Sequence, residues 1–283
     1  MPTLATRPEI DTAFCAIALR SVTDDLARYA WRPQAEERVT DILPRLFDIS
    51  AYGRAMLKTL LDARYPEIQW GGDEAHPHLS TAELSARRWI YDPIDGAYHF
   101  IQGLPLWSAS LALAEDGEVI VALVYDPSTG ELYVGRRDRG ATLNGQPLAV
   151  STKRVLGAAV VGTGLPIHGY GDPETHTSAL HQLAAVSRNV FVTRQMASAS
   201  LQLAYVAAGR LDAYWEAGRD LHDWAAGALL VREAGGVVTD FDGTPFGGDS
   251  EGIIAAPEAL LHGMRDVISA PRPTAVSAST LAE

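Results

Sequence analysis

Three groups of acidic residues are the part of this sequence most able to do chemistry. The first lies at residues 89–96, which read WIYDPIDG, an apolar run that ends in the carboxylates of Asp92 and Asp95. A proline bends the chain between them and Gly96 permits a tight turn, so both carboxylates can point into one space. Two carboxylates this close repel each other unless a proton or a cation lies between them. Because hard divalent cations take oxygen ligands, the motif indicates a metal site.

The two other acidic groups also follow predicted strands. One is the segment 72–74, which contains Asp73, and the other contains Glu216 and Asp223 between a predicted strand and a predicted helix. Asp223 could instead be the N-cap of that helix. Any one acidic turn is usually a solvated surface turn, but three at strand ends favour a shared site. Carboxylates that hold paired metals are the usual means of hydrolysing phosphate esters.

Alternating helices and strands must position these groups. Apolar spacing predicts a first helix from Glu9 that ends before Pro33, a second over 34–46 and a third over about 51–64. Further helices are predicted at 176–186, 198–208, 221–234 and 257–268, and strands at 68–70, 88–91, 106–114, 118–125, 131–135, 158–161, 190–192, 211–216, 237–239 and 252–255. The first strands form hairpins and the later ones alternate with helices. This order predicts a layered α/β (α+β) architecture.

Composition narrows the class of protein. The chain has 283 residues, 47% of them hydrophobic, which excludes disorder as a whole, and a formal net charge of −12, which argues against nucleic acid or an anionic membrane as partner. The single Cys15 allows no intrachain disulfide. We find no signal peptide and no apolar run of membrane-spanning length, and expect a soluble cytoplasmic protein. We expect one domain over 1–283, with subregions at about 9–150 and 151–269 and a disordered tail over 270–283.

The motifs together resemble those of a known family. Residues 92–96 read DPIDG, similar to the Asp-Pro-Ile-Asp-Gly-Thr motif of the inositol monophosphatase family, and residues 72–74 resemble its upstream Gly-Glu-Glu. Residues 222–227 read HDWAAG and residues 233–236 read EAGG, which resembles the family's second motif. The matches have the family's order and spacing from about residue 10 to residue 268.

This resemblance implies a fold, an activity and a set of site residues. The fold would be the layered αβαβα sandwich of the inositol monophosphatase and fructose-1,6-bisphosphatase type, often a homodimer. The activity would be Mg²⁺-dependent hydrolysis of a small polyol or sugar phosphate, with two or three ions. The implied metal ligands are Asp73, Asp92, the Ile94 carbonyl, Asp95 and Asp223. The implied substrate contacts are the N–H groups of Gly96 and Ala97, the residues Ser198 and Ala199, the hydroxyl-binding Glu216, and Asp223.

The chain departs from the family pattern where water is activated. Ala97 stands where the family has a threonine whose hydroxyl orients the attacking water, and Asp73 stands where it has glutamate. The implied catalytic residues are therefore Asp73, Asp95 and Ala97, with one hydroxyl missing. Ser50 stands where we expect an acid that helps hold a third metal, and Tyr98 or His99 could orient the water instead. General-base assistance contributes roughly 10²- to 10⁴-fold.

Three functions stay open on the sequence. The first is the metal-dependent phosphomonoesterase. The second, within the same fold, is a 3′-nucleotide or sulfonucleotide phosphatase. The third is a catalytically impaired member that binds a phosphorylated ligand or a partner protein without turnover.

Overall fold

The fold was analysed in a computed structural model that describes residues 9–71, 82–165 and 173–270. Seven α-helices lie within these ranges, and none of them is both long and apolar enough to cross a membrane. They are α1 (Thr12–Leu26), α2 (Val39–Asp62), α3 (Ala97–Gln102), α4 (Pro173–Ser187), α5 (Ala199–Ala207), α6 (Leu221–Glu233) and α7 (Glu258–Ile268).

Twelve strands in the described ranges form two sheets. The strands are β1 (Gln69–Trp70), β2 (Arg88–Asp95), β3 (Ser108–Glu115), β4 (Glu118–Asp126), β5 (Glu131–Arg136), β6 (Gly140–Leu143), β7 (Gln146–Pro147), β8 (Val160–Thr163), β9 (Val192–Gln195), β10 (Ala213–Ala217), β11 (Val237–Thr239) and β12 (Gly252–Ala256). The first sheet has the sequential order β1 to β7 and is antiparallel apart from the β1–β2 pair. The second has the order β11-β12-β10-β8-β9 and is mixed.

Three apolar clusters separate five layers. One cluster joins α1 and α2 to one face of the first sheet, and includes Leu19, Leu57 and Trp89. A second fills the space between the two sheets around α5 and α6. The third joins the far face of the second sheet to α4 and α7. Each helix buries one stripe or both faces against a sheet, as layered packing requires. The predicted αβαβα sandwich is confirmed.

The prediction of two helices over 34–46 and 51–64 is wrong, because α2 is a single helix. Pro44 lies inside it, within the second turn. A proline there removes one backbone hydrogen bond and usually costs about 3 kcal/mol. The buried residues of α2 form one continuous stripe on both sides of the proline, comprising Ile42, Leu46, Ile49, Ser50, Gly53, Leu57 and Leu61. Burial of that stripe against α1 and the first sheet outweighs the local cost.

Candidate metal centre and active site

Three carboxylates converge where the two sheets approach each other. Asp92 and Asp95 lie at the end of β2, and Asp223 is the third residue of α6. One oxygen from each of them lies within 4.8 Å of the others. A triad of carboxylate oxygens at this spacing suits Mg²⁺, which binds oxygen ligands and compensates their mutual repulsion. The alternative that Asp223 is an N-cap is wrong, because α6 begins at Leu221.

The end of β2 is shaped so that both of its carboxylates face the same space. The register with β3 shifts between Asp92 and Asp95, so the strand bulges there. Within the bulge the Ile94 N–H donates to Asp92 Oδ1 at 2.9 Å. Gly96 then turns the chain into α3 with φ of +91°, and a Cβ at this position would lie 3.0 Å from the Leu106 carbonyl oxygen. Backbone conformation and space both require glycine here.

Asp95 is held by donors from the start of α5. The Ser198 hydroxyl and the Ser200 N–H donate to Oδ2 at 2.9 and 2.7 Å, and the Ala199 N–H donates to Oδ1 at 3.2 Å. The Ser200 hydroxyl also donates to Oδ2. Burial nevertheless raises the pKa of Asp95 to about 6, because these hydrogen bonds lower it only in part. The donors fix the direction of the carboxylate.

Asp223 has acidic neighbours instead. Burial, and then the charges of Asp220, Asp95 and Asp92, raise the pKa of Asp223 well above its ordinary value. The N-terminal end of a helix favours a negative charge, but burial and the neighbouring charges outweigh it at Asp223. A divalent cation among the carboxylates would remove the repulsion, so the electrostatics fit a metal centre.

A fourth carboxylate, that of Glu216 in β10, faces the same cavity. Trp224 Nε1 donates to Glu216 Oε2 at 2.8 Å, and the Tyr214 hydroxyl donates to the same oxygen. Burial raises the pKa of Glu216 to about 7, with smaller increases from Asp220 and Asp95. Next to its other oxygen, Oε1, lies Gly164, where a methyl group would overlap the carboxylate.

These carboxylates line one cavity of about 830 Å³, which is large enough for a small organic phosphate. Helix α2 contributes Ser50 and, one turn later, Arg54 to its wall. Arg54 Nη2 donates to the carbonyl oxygen of Tyr91, beside Asp92, at 2.9 Å. Arg54 therefore brings a permanent positive charge close to the acidic group, and the sequence analysis missed it.

The residues predicted from sequence fall into three groups. Gly96, Ala97, Tyr98 and His99 line the cavity, and the Nδ1 atom of His99 lies 2.7 Å from the Leu106 carbonyl oxygen. Ser198 and Ala199 are buried behind Asp95 as its donors, and their contact with substrate stays a prediction. Asp73 lies outside the described residues.

Sequence reasoning missed four further residues, namely Ser200, Tyr214, Trp224 and Arg54. One of them carried a usable signal: Tyr214 and Glu216 are two apart in a predicted strand, so they share a face. Ser200 and Trp224 donate across contacts that only the packed layers create. Trp224 lies in the motif at residues 222–227, but the motif does not indicate its hydrogen bond to Glu216.

Comparison with known proteins gives consistent results. A family model described as "Inositol monophosphatase family" matches residues 48–269. Inositol-1-monophosphatase of Rhizobium meliloti (strain 1021) is 42% identical over 223 residues, which are 78% of this chain and 81% of that protein. A protein named Nus factor SuhB from Salmonella typhimurium (strain LT2) is 36% identical over 226 residues, covering 78% of this chain and 83% of that protein.

Solved structures show the same similarity in three dimensions. The IMPase of Thermotoga maritima has a TM-score of 0.74 at 28% identity, covering 91% of this chain and 96% of that chain. The extragenic suppressor protein suhB of Bartonella henselae has a TM-score of 0.77 at 27% identity, covering 92% of this chain and 99% of that chain.

Proposed function

The chain belongs to the inositol monophosphatase family, and on that basis we propose that it is a Mg²⁺-dependent phosphomonoesterase of small polyol or sugar phosphates such as inositol monophosphate. The observation that carries the proposal is the convergence of the Asp92, Asp95 and Asp223 oxygens within 4.8 Å in a cavity of about 830 Å³. As further parts of the proposal, the protein is cytoplasmic and works as a homodimer.

In this proposal the three carboxylates hold two or three Mg²⁺ ions, with the Ile94 carbonyl and Asp73 as further ligands. When bound, such ions lower the pKa of water and withdraw charge from phosphate oxygens. The donors from α5 keep Asp95 in one orientation, so this ligand needs no rearrangement when a cation binds. Preorganisation of this kind lowers the cost of assembling the site.

The remaining residues of the cavity would bind the substrate. Gly96 and Ala97 lie where the chain enters α3, and their N–H groups would donate to phosphate oxygens. Glu216 would accept a hydrogen bond from a hydroxyl of the alcohol. Ala97 has no hydroxyl to orient the attacking water, so we expect turnover slower than in relatives that have threonine there, by a factor within the roughly 10²- to 10⁴-fold range of general-base assistance.

The test is phosphate release from inositol, sugar and nucleotide monophosphates with and without Mg²⁺. We expect Mg²⁺-dependent release with a polyol or sugar phosphate preferred, and loss of release in Asp223→Asn. Preference for a 3′-nucleotide would instead assign the chain to the nucleotide phosphatases. The absence of release from every substrate would refute the enzymatic proposal.

A second variant, Ala97→Thr, distinguishes a slow enzyme from a binding protein. It restores a hydroxyl at the cavity wall, and we expect turnover to rise by about tenfold or more. The matched control is Ala86→Thr, which adds the same group to a residue that does not line the cavity. If Ala97→Thr leaves turnover unchanged, Tyr98 or His99 becomes the candidate for orienting water, to be tested by Tyr98→Phe.

A second candidate function is binding of a partner protein without turnover. It is favoured by relatives that are named Nus factor SuhB rather than phosphatase, and by the missing hydroxyl at Ala97. The panel above decides between the two functions. Mg²⁺ binding by calorimetry without any phosphate release would favour the binding function.

A further inference from the structure

The side chain of Glu216 is held by hydrogen bonds from two neighbouring aromatic side chains. Trp224 Nε1 donates to Oε2 at 2.8 Å, and the Tyr214 hydroxyl donates to the same atom. The other oxygen, Oε1, is the atom nearest to the position that a Cβ would take at Gly164, which lines the cavity together with Glu216.

Both donors are themselves rigid. Tyr214 is 0% exposed, and its strand β10 is paired on both sides, with β12 and with β8. Trp224 is 1% exposed, and its ring packs edge-on against Phe246 with centroids 5.9 Å apart. A carboxylate held by two such donors cannot rotate without breaking buried hydrogen bonds. The free rotation that an ordinary glutamate side chain has is lost here.

The second oxygen, Oε1, lies against Gly164. A Cβ at Gly164 would overlap Glu216 Oε1, so glycine is needed at this position for the carboxylate to take its place in the cavity wall. The arrangement thus has Oε2 engaged by two protein donors and Oε1 in the same wall. A partly buried acceptor of this kind discriminates between ligands, because a ligand without a donor leaves it unpaired.

We propose that Tyr214 and Trp224 are positioning residues that fix Glu216 through Oε2 and so direct Oε1 to a hydroxyl of the substrate. This inference rests on the proposed phosphatase function and adds two residues on which its preference for a polyol or sugar phosphate depends. An ester of a simple phenol or monohydric alcohol supplies the phosphate but no second hydroxyl, and is therefore discriminated against.

The test compares inositol 1-phosphate with phenyl phosphate in Mg²⁺ for wild type, Tyr214→Phe and Trp224→Phe. Tyr214→Phe removes only the hydroxyl donor, and Trp224→Phe replaces the indole by a smaller aromatic ring without an N–H. We expect KM for inositol 1-phosphate to rise about tenfold in each, as loss of a hydrogen bond to a charged group predicts. We expect kcat and KM for phenyl phosphate to change by less than about twofold.

The matched control is Tyr133→Phe. Tyr133 is a buried tyrosine of β5 whose hydroxyl donates to Glu131 Oε2 at 2.7 Å, so the same chemical change is made outside the cavity. This variant should leave KM for both substrates at the wild-type value. Far-UV circular dichroism and thermal midpoints verify that the variants compared are folded.

Two outcomes overturn the inference while the proposed function stands. One is an equal rise in KM for both substrates, which would mean a merely structural role. The other is wild-type hydrolysis of phenyl phosphate as efficient as that of inositol 1-phosphate. If wild type releases phosphate from neither, the proposed function fails, and calorimetric Kd values for inositol 1-phosphate take the place of KM. A Kd that is unchanged in Trp224→Phe, or no binding to wild type, then overturns the inference.

Discussion

Two strand-to-helix junctions place carboxylates at the cavity, and the neighbours of these carboxylates differ. At the β2–α3 junction, Asp95 accepts hydrogen bonds from Ser198, Ala199 and Ser200. At the β10–α6 junction, Asp223 faces other carboxylates, whose charges raise its pKa. Asp95 is buried and Asp223 partly buried by the same packing of sheets and helices. The protein supplies hydrogen-bond donors to the first carboxylate, whereas the second faces like charges that a cation would compensate.

This difference teaches how a site can be both rigid and responsive to metal. Ligands fixed by protein donors keep their geometry in the absence of metal. Ligands that repel one another store unfavourable energy until a cation binds. The free energy of unfolding, measured with and without metal, should therefore respond differently to substitutions at the two junctions.

The largest effect is expected from Asp95→Asn in the metal-free protein. The amide nitrogen replaces one carboxylate oxygen and cannot accept, so at least one of the buried donors loses its partner, and we expect the free energy of unfolding to fall by up to about 3 kcal/mol. Urea unfolding measures it. Asp212→Asn makes the same change outside the cavity, since Asp212 is a buried aspartate that accepts from Ser151, Lys153 and Val160, and we expect a comparable fall there. A metal-free Asp95→Asn protein as stable as wild type would contradict the comparison.

The next effect is stabilisation by Mg²⁺. A ligand that binds only the folded protein stabilises it by about 2.7 kcal/mol at a concentration of a hundred times Kd. We expect wild type and Asp212→Asn to show this gain in urea unfolding, and Asp223→Asn to lose most of it. Ca²⁺-free and Mg²⁺-free buffer with a chelator gives the baseline. Equal stabilisation of Asp223→Asn by Mg²⁺ would show that the carboxylate of Asp223 is not needed for the cation to bind.

A smaller effect is the pH dependence of metal-free stability. Folding raises the pKa of Asp95 from 3.8 to about 6 and that of Glu216 from 4.5 to about 7. The folded state then binds these protons more tightly, so their contribution to stability is present below about pH 4 and is lost as pH rises through 6 to 7. We expect the metal-free thermal midpoint to fall between about pH 5 and pH 7.5, and Mg²⁺ to reduce the fall. A midpoint that rises steadily over this range without metal would argue against the assignment.

The smallest effect is expected from Asp223→Asn without metal. The raised pKa of Asp223 means that its neutral form is favoured in the folded state, and asparagine resembles that form. Removing the charge sacrifices a favourable interaction with the start of α6, worth about 0.3 to 1 kcal/mol. We expect relief of repulsion to exceed this loss, with a net gain of about 1 kcal/mol in the free energy of unfolding. A fall in the free energy of unfolding would mean that the protein stabilises the Asp223 carboxylate, as it does that of Asp95.

Local patterns predicted most of the helices and strands, whereas the αβαβα arrangement followed from the resemblance. The helices near residues 176–186, 198–208 and 221–234 and the hairpin strands were predicted within a few residues, because their apolar spacing has a single period. The main error was at Pro44, where a local rule against proline in helices was outweighed by the buried stripe of α2. Whether such a stripe is buried depends on the elements that pack against it, and a short segment of sequence does not show these elements.

The site was predictable only where one motif contains the ligands. Asp92 and Asp95 are neighbours in sequence, and their convergence with Asp223 followed from the resemblance. The donors of Asp95 lie 103 to 105 positions further along the chain. Arg54 reaches Tyr91 across 37 positions. Contacts of this range depend on how layers dock, so the sequence pattern of either partner does not reveal them.

The distribution of the site over both sheets has a consequence for how the chain is made. A nascent chain that has emerged as far as residue 150 contains the whole first sheet and Asp92 and Asp95, but neither the start of α5 nor Asp223. Such a chain has an incomplete ligand set and no donors for Asp95. A cation that needs all three carboxylates could therefore bind only after α6 has docked against the first sheet.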